Sequence, residues 1–223
     1  MPNEPQKLAI FDLDNTLLGG DSDHAWGEFL IQKGLVDADQ HKKANDGFFE
    51  DYNNGTLDIT AYLTFALTPI AGQPADTLAA LHADFMASCV EPIRLAKADA
   101  LLAQHRDAGD YLLIITATND FVTRPIAQML GVDDILASDA EQKDGIYTGK
   151  PTGTPCFQAG KVTRLNEWLA DKPFDLADAC FYSDSRNDIP LLEAVGHAIA
   201  VDADNTLLAH ATKAGWPCIS LRD

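Results

Sequence analysis

Residues 8–18 read LAIFDLDNTLL, and no other short stretch of the chain is as informative. Four apolar residues run directly into Asp12 and Asp14, and no cationic residue follows until Lys33. A short and continuously apolar run is typical of a strand covered on both faces, as strands in parallel sheets usually are. The stretch therefore predicts a buried strand that ends on two mutually repelling carboxylates.

Similar apolar runs recur along the chain, and helix-like patterns separate them. The predicted strands are residues 8–14, 111–118, 134–138, 179–185 and 197–202, and DGIYTG at 144–149 predicts a small hairpin. The predicted helices are residues 121–130, 161–170, 189–195 and 205–214. Strands that alternate with helices predict an α/β fold with a Rossmann-like parallel sheet wrapped by helices.

The segment from residue 21 to about residue 92 contains no convincing strand pattern. Helical patterns lie at residues 38–53, 58–71 and 75–89. A connection of this length far exceeds the ~2–6 residues that usually join a strand to a helix. We therefore predict a catalytic core of residues 1–20 and 91–223, and a helical cap of residues 21–90 inserted after the first strand. Gly19 and Gly20 are the predicted hinge between them.

The composition limits the possible partners. The chain has 223 residues, of which 46% are hydrophobic, as expected for one core domain with a smaller insertion. A net charge of −18 disfavours nucleic acid and anionic membrane surfaces. No apolar run is long enough to span a bilayer, and the start of the chain does not resemble a secretory signal. Four cysteines without a CxxC pair indicate reduced thiols in a cytoplasmic protein. The sequence does not indicate an oligomeric state.

Polar residues follow several of the predicted strands. In an open parallel sheet, ligands collect at the carboxyl edge of the strands. The residues expected at this edge are Asp12, Asp14, Thr116, Thr118, Lys161, Asp184, Asn187 and Asp188. Clustered carboxylates indicate Mg²⁺, a hard ion that prefers oxygen ligands and commonly also holds a substrate phosphate. Lys161, near a helix start, would supply a second positive charge for that phosphate.

The first two carboxylates suit covalent phosphoryl transfer. A carboxylate can attack phosphorus to form an aspartyl-phosphate, and Asp12, the first to leave the strand, suits that role. Asp14 lies one strand period further on and could act as the acid and base. An EF-hand calcium loop is rejected, because its sixth position requires glycine and here is Leu17.

These motifs together resemble the haloacid dehalogenase-like hydrolase superfamily. The resemblance covers essentially the whole chain and rests on DLDNT at 12–16, Thr116, Lys161 and SDSRND at 183–188. The helical block after the first strand is similar to the phosphoserine-phosphatase-like branch, subfamily IB. The roles that the resemblance implies are Asp12 as nucleophile, Asp14 as acid and base, Thr116 and Lys161 as phosphate ligands, Asn187 as a possible phosphate contact, and Asp188 as a support for Lys161 or the metal. It also implies that Asp12, the backbone carbonyl of Asp14, and Asp184 hold Mg²⁺.

One motif departs from the family pattern. Where the family often has GDGxND, this chain has SDSRND, so Ser183 and Ser185 replace glycines and Arg186 is large. The acids are intact, and metal binding is still expected. The backbone shape of the loop is what the departure puts in question.

The predicted substrate is a small phosphorylated metabolite with a cationic organic part. By the resemblance, residues beside the hinge face the active site, and the candidates are Asp21, Asp23 and His24. Phosphoserine phosphatases use an acid near the hinge for the ammonium and a cap arginine for the carboxylate. Residues 21–90 contain no arginine, so phosphoserine is poorly supported. Histidinol phosphate, or another amino-alcohol phosphate that lacks a carboxylate, fits an acidic cap better.

Two other functions remain open at this stage. A receiver-like signalling domain also places acids, a hydroxyl and a lysine on a parallel sheet. However, its phosphate-accepting residue is not on the first strand, and the inserted helices would have no explanation. A phosphomutase would return the phosphoryl group to a second position on its substrate, and the sequence does not distinguish it from a phosphatase.

Overall fold

The strands of the protein form one twisted sheet. A computed structural model describes residues 7–222. Its strands are β1 (Leu8–Phe11), β2 (Tyr111–Asn119), β3 (Asp134–Lys143), β4 (Ile146–Thr152), β5 (Cys180–Ser183), β6 (His197–Val201) and β7 (Cys218–Ile219). Their order is β4-β3-β2-β1-β5-β6-β7, and neighbouring strands are parallel except β3 and β4. The predicted α/β class with a parallel sheet is confirmed.

Helices cover both faces of this sheet. The helices are α1 (Ser22–Gln32), α2 (Ala38–Asn54), α3 (Ile59–Leu67), α4 (Ala75–Phe85), α5 (Ala96–Ala108), α6 (Asp120–Leu130), α7 (Ala159–Leu169), α8 (Ile189–Leu192) and α9 (Asn205–Ala214). Residues of α1, α5 and α6 join Ala9 and Phe11 in one apolar cluster. Residues of α7, α8 and α9 join Leu8 and Ile10 in the other. The alternation along β1 explains why this strand is apolar at every position.

The segment between β1 and β2 is helical, as predicted. Within the described chain it forms α1 to α4, short turns and α5, and no strand. Trp26 of α1 packs edge-on against Phe121 of α6, with ring centroids 5.3 Å apart. The Gly19 amide donates to the Ile93 carbonyl at 2.7 Å, so the two connections to the insertion lie side by side. The division into core and cap at residues 20 and 90 stays a prediction.

Several element boundaries differ from the sequence-based expectation. β1 ends at Phe11 rather than at residue 14, so both acids of the first motif lie in the loop beyond the strand. The predicted hairpin exists and is larger, because β3 runs on to Lys143 and pairs with β4 in the antiparallel direction. The helix α5 was not predicted as an element, although Ala98 and Leu102 are buried one turn apart.

Candidate active site

The centre of the site is a buried lysine between two carboxylates. Asp12 follows β1, which lies between β2 and β5 in the sheet. The Lys161 ammonium, on the first turn of α7, donates to Asp12 Oδ1 at 2.8 Å and to Asp188 Oδ2 at 2.8 Å. All three side chains are almost completely buried. Three residues far apart in sequence therefore meet under the carboxyl edge of the sheet.

Burial and the opposite charges of Asp12 and Lys161 have opposing effects on the pKa values of these two residues. Burial raises the pKa of Asp12 to about 7, while Lys161 lowers it and Asp188 adds to the rise. Burial alone would lower the pKa of Lys161, but the charges of Asp12 and Asp188 raise it above its usual value. The lysine is therefore protonated across the physiological range, and its positive charge is fixed beside Asp12.

Asp14 is held by two hydrogen bonds on its own side of the loop. The Ser22 amide donates to Asp14 Oδ1 at 2.7 Å, and the Thr118 hydroxyl donates to Asp14 Oδ2 at 2.8 Å. Burial raises the pKa of Asp14 to about 7, with a further contribution from the Asp21 charge, against these two hydrogen bonds. A carboxyl that titrates near neutral pH is well suited to take up and release a proton.

The two threonines at the end of β2 have different partners. Thr116 is 1% exposed and lines the pocket above the acids, and its hydroxyl accepts a hydrogen bond from the Thr118 amide at 3.2 Å. Thr118 is the residue that contacts Asp14, a role that the sequence analysis did not assign. Its position two residues after Thr116 on the same strand was the available signal.

Asp184 is tied to the first motif through Thr16. The Thr16 hydroxyl donates to Asp184 Oδ1 at 3.0 Å and accepts from the Asp184 amide at 3.0 Å. Burial raises the pKa of Asp184 well above its usual value, and the charges of Asp12 and Asp188 add to the rise. The loops after β1 and β5 are thus locked together, and their acids lie close enough to repel each other.

The serines that replace glycine in the fourth motif have hydrogen-bonding roles. The Ser183 hydroxyl donates to Asp188 Oδ2 at 2.7 Å and accepts from the Ser185 amide at 3.1 Å. The Ser185 hydroxyl accepts from the Asn187 amide at 3.2 Å and from the Tyr52 hydroxyl at 3.3 Å. The serines therefore hold the loop in shape by side-chain hydrogen bonds.

The same loop contacts the inserted helices. The Asn187 side chain donates from Nδ2 to the Tyr52 carbonyl at 3.1 Å. Its Oδ1 accepts from the Gln158 side chain at 3.0 Å. Arg186 lies against Gly55, directly after α2. The predicted phosphate contact of Asn187 stays a prediction, while its contact with α2 was not foreseen. This arrangement brings the end of α2 onto the edge of the sheet.

A pocket of about 510 Å³, partly open to solvent, lies between this edge and the inserted helices. The lining residues are Asp12, Asp14, Asp21, Asp23, His24, Asn45, Phe48, Phe49, Tyr52, Leu57, Ile59, Tyr62, Thr116, Ala117 and Thr118. Among these described lining residues are four aspartates and four phenylalanine or tyrosine rings but no lysine or arginine. All three predicted substrate-contacting residues of the hinge side are present. The aromatic residues of α2 and α3 were not predicted.

The three hinge-side residues have distinct partners. Asp21 caps α1, because its Oδ1 accepts from the Asp23 and His24 amides at 3.0 and 2.8 Å. The Asn119 side chain donates to Asp23 Oδ1 at 3.4 Å. His24 Nε2 lies 3.1 Å from Asp46 Oδ1, and His24 lines the pocket. Of these three side chains, only that of Asp21 accepts hydrogen bonds from backbone amides of the described residues.

Comparison with known proteins identifies the class of protein. The model of the haloacid dehalogenase-like hydrolase family matches residues 9–193, and the chain belongs to this family. It is therefore a hydrolytic enzyme. Among the described residues, no helix is both long enough and apolar enough to cross a membrane.

One relative and two solved structures are similar to this chain over nearly its whole length. A histidinol-phosphatase of Neisseria meningitidis serogroup C (strain 8013) is 44% identical over 97% of this chain and 100% of its own length. A solved protein of unknown function from Bordetella pertussis Tohama I is 42% identical, with a TM-score of 0.90 over 98% of this chain and 100% of that one. A substrate-bound phosphoserine phosphatase has a TM-score of 0.72 at 18% identity, covering 97% of this chain and 94% of that one. This last likeness shows a shared fold.

Proposed function

We propose that this hydrolase is a Mg²⁺-dependent phosphomonoesterase that transfers the phosphoryl group to Asp12. The observation that carries the proposal is the buried Lys161 ammonium, 2.8 Å from Asp12 Oδ1 and 2.8 Å from Asp188 Oδ2 beside the pocket. A fixed positive charge next to a carboxylate suits the binding of a phosphate and attack on it. The proposal also agrees with the fold family and with the name of the relative from Neisseria.

The reaction would proceed in two steps. An oxygen of Asp12 attacks phosphorus, the bond to the alcohol oxygen breaks, and Asp14 gives its proton to the departing alkoxide. A water molecule then attacks the phosphorus of phospho-Asp12 and gives a proton to Asp14. The bond between phosphorus and the Asp12 oxygen breaks, which frees the Asp12 carboxylate and releases inorganic phosphate. A pKa of about 7 allows Asp14 to serve in both steps.

The donor set at the edge of the sheet suits Mg²⁺. Asp12, Asp184 and the carbonyl of Asp14 would hold the ion, which would supply positive charge to the phosphate oxygens. Lys161 donates a hydrogen bond to one carboxylate oxygen of Asp12, and Thr16 donates one to a carboxylate oxygen of Asp184. The other oxygen of each accepts no hydrogen bond from the described residues, which leaves two oxygens for a cation.

The proposed substrate is histidinol phosphate or another amino-alcohol phosphate. The pocket above Asp12 is acidic and aromatic, which suits a ligand that carries both a positive charge and a flat apolar part. Phosphoserine is less well supported, because its carboxylate would face these acids without a lysine or arginine among the described lining residues. Residues 21–90 are proposed as the cap that covers this ligand.

The test is phosphate release from a panel of esters in the presence of Mg²⁺. The panel comprises p-nitrophenyl phosphate, histidinol phosphate, phosphoserine and a sugar phosphate. Wild type should hydrolyse p-nitrophenyl phosphate, and Asp12→Asn should lose at least about 10³-fold in kcat/KM. Asp107→Asn, at an exposed position of α5, is the matched control and should behave as wild type. Retained hydrolysis in Asp12→Asn would remove Asp12 from the nucleophile role.

The same panel separates the two other candidate functions. A phosphomutase would convert the sugar phosphate to an isomer with little release of phosphate. A receiver-like domain would keep a long-lived phosphoryl group and would turn over none of the esters. Multiple turnovers with phosphate release would favour the phosphatase over both.

A further inference from the structure

The acidic wall of the pocket contains two carboxylates with different environments. Asp21 has a structural use, since its Oδ1 accepts two amide hydrogen bonds at the start of α1. Asp23 is 5% exposed, and its Oδ2 is fully buried with no hydrogen-bond partner among the described residues. Buried carboxylate oxygens without a donor are costly and call for an explanation, such as a bound ligand, ion or water. Asp23 therefore has one buried carboxylate oxygen, Oδ2, that accepts no hydrogen bond from the described residues.

The surroundings of Asp23 favour a positively charged partner. Burial raises the pKa of Asp23 to about 8, the Asp21 charge adds to the rise, and the nearby Tyr62 hydroxyl opposes it. The pocket that Asp23 lines contains no lysine or arginine among its described residues. A cation that enters this pocket would thus meet a carboxyl group that no protein cation neutralises.

Apolar surface lies close to this acid. Phe48 and Tyr62 line the same pocket with their ring centroids 5.3 Å apart, and Asp12 and Thr116 also line it. A ligand whose phosphate is at Asp12 would therefore have its organic part between an acid and aromatic rings. This arrangement suits a small organic cation better than a sugar or a carboxylic acid.

We infer that Asp23 is the specificity residue that receives a protonated primary amine of the substrate, while Asp21 mainly holds the start of α1. The inference rests on the proposed phosphatase function and adds to it the group that the enzyme recognises. It assigns the ammonium to Asp23 and not to Asp21, the other hinge-side acid that lines the pocket. A purely structural role for Asp23 in the first turn of α1 would affect stability but would not depend on the charge of the substrate.

The test compares two esters that differ only in the amine. Histidinol phosphate and its deamino analogue have the same ring, chain and phosphate. Wild type should prefer the amine-bearing ester by about 10- to 100-fold in kcat/KM, as expected for a charge-assisted hydrogen bond. Asp23→Asn should reduce this ratio to near one. Asp21→Asn is the matched control, because asparagine also caps helices, and it should keep the larger part of the ratio.

Two results would overturn the inference: an unchanged ratio in Asp23→Asn, or a ratio lost in Asp21→Asn but kept in Asp23→Asn. Thermal unfolding of each variant shows whether a change reflects loss of structure.

Hydrolysis of p-nitrophenyl phosphate by wild type and Asp12→Asn tests the proposed phosphatase function separately. If wild type hydrolyses no ester, the proposed function fails, and calorimetric binding of histidinol and its deamino analogue then tests Asp23. Equal binding of both alcohols to wild type would end the inference.

Discussion

At the scale of single residues, the Asp12–Lys161–Asp188 group explains how acids accumulate at one edge of the sheet. One ammonium lies between two carboxylates in a place that water barely reaches. Such a group is stable only as a whole, because removal of one partner leaves a buried charge unpaired and costs about 3–5 kcal/mol. The lysine offsets one negative charge, so the acids still leave the edge electronegative. That surplus is what a divalent cation would neutralise.

Thr118 gives a prediction about the proposed acid role of Asp14. Thr118→Val removes the donor to Asp14 Oδ2, so the carboxyl group should lose its orientation. For an alkyl phosphate, whose leaving group needs a proton, kcat/KM should fall by about 10-fold or more. For p-nitrophenyl phosphate, whose leaving group does not, the loss should stay below about threefold. Steady-state kinetics with both esters measure the difference.

Thr118→Ser is the matched control, since it keeps the hydroxyl group and should retain most of the activity on both esters. Equal losses on the two esters in Thr118→Val would mean that Thr118 does not act through proton transfer by Asp14.

At the scale of elements, α2 connects the pocket to the carboxyl edge of the sheet. Its aromatic residues Phe48, Phe49 and Tyr52 line the pocket, and its C-terminal end contacts the loop after β5. The helix ends at Gly55, whose φ of 73° is left-handed, with Arg186 packed against it. The geometry of this one helix end therefore affects both the pocket and the fourth motif.

Gly47 inside α2 and Gly55 directly after it should respond to alanine in opposite ways. Gly55→Ala introduces a side chain at a left-handed position and should destabilise by about 1 kcal/mol. Gly47→Ala, at an exposed position inside the helix with no atom within 4 Å of the new Cβ, should stabilise by about 0.5–1 kcal/mol. Thermal unfolding should show shifts of about 2–4 °C in opposite directions.

If the insertion unfolds on its own, hydrogen exchange of the α2 amides should be faster in Gly55→Ala and slower in Gly47→Ala. Shifts of the unfolding temperature with the same sign in the two variants would contradict the left-handed backbone conformation of Gly55 at the end of α2.

The elements also show what the sequence could and could not predict. Continuous apolar runs such as residues 8–11 and 112–115 identified the central strands, because burial on both faces leaves a clear pattern. The acids and Lys161 were predictable since parallel strands expose their carboxyl ends at one edge. The aromatic lining was not, because Phe48, Tyr52 and Tyr62 reach the pocket only through the tertiary packing of α2 and α3 on the core. The orphaned oxygen of Asp23 is likewise visible only when burial is known.

At the scale of the whole molecule, the buried acids should make stability depend on pH. The pKa values of Asp12, Asp14 and Asp23 are raised to about 7, 7 and 8, and that of Asp184 is raised well above its usual value. A raised pKa means that the folded state binds protons more tightly than the unfolded state. The stability that this contributes is present at low pH and is lost as the pH rises through the folded-state values.

Without metal, the unfolding temperature should therefore fall between about pH 6.5 and about pH 8.5, by an amount equivalent to about 2 kcal/mol. Mg²⁺ should stabilise the protein more at the higher pH, where the carboxylates are charged. Asp184→Asn should raise the unfolding temperature of the metal-free protein at the higher pH and abolish the response to Mg²⁺. Scanning calorimetry with and without Mg²⁺ measures all three effects. A stability that rises with pH, or an intact Mg²⁺ response in Asp184→Asn, would contradict the placement of the ion.

The proposed covalent transfer of the phosphoryl group to Asp12 is the most specific prediction for the whole site. It is tested most directly by acid quenching during turnover of a good ester, followed by borohydride reduction and peptide mass analysis. Borohydride converts an aspartyl-phosphate into homoserine, so residue 12 should carry that change when substrate and Mg²⁺ are both present, and only then. Reduction at another aspartate, or none at residue 12 during confirmed turnover, would contradict Asp12 as the nucleophile.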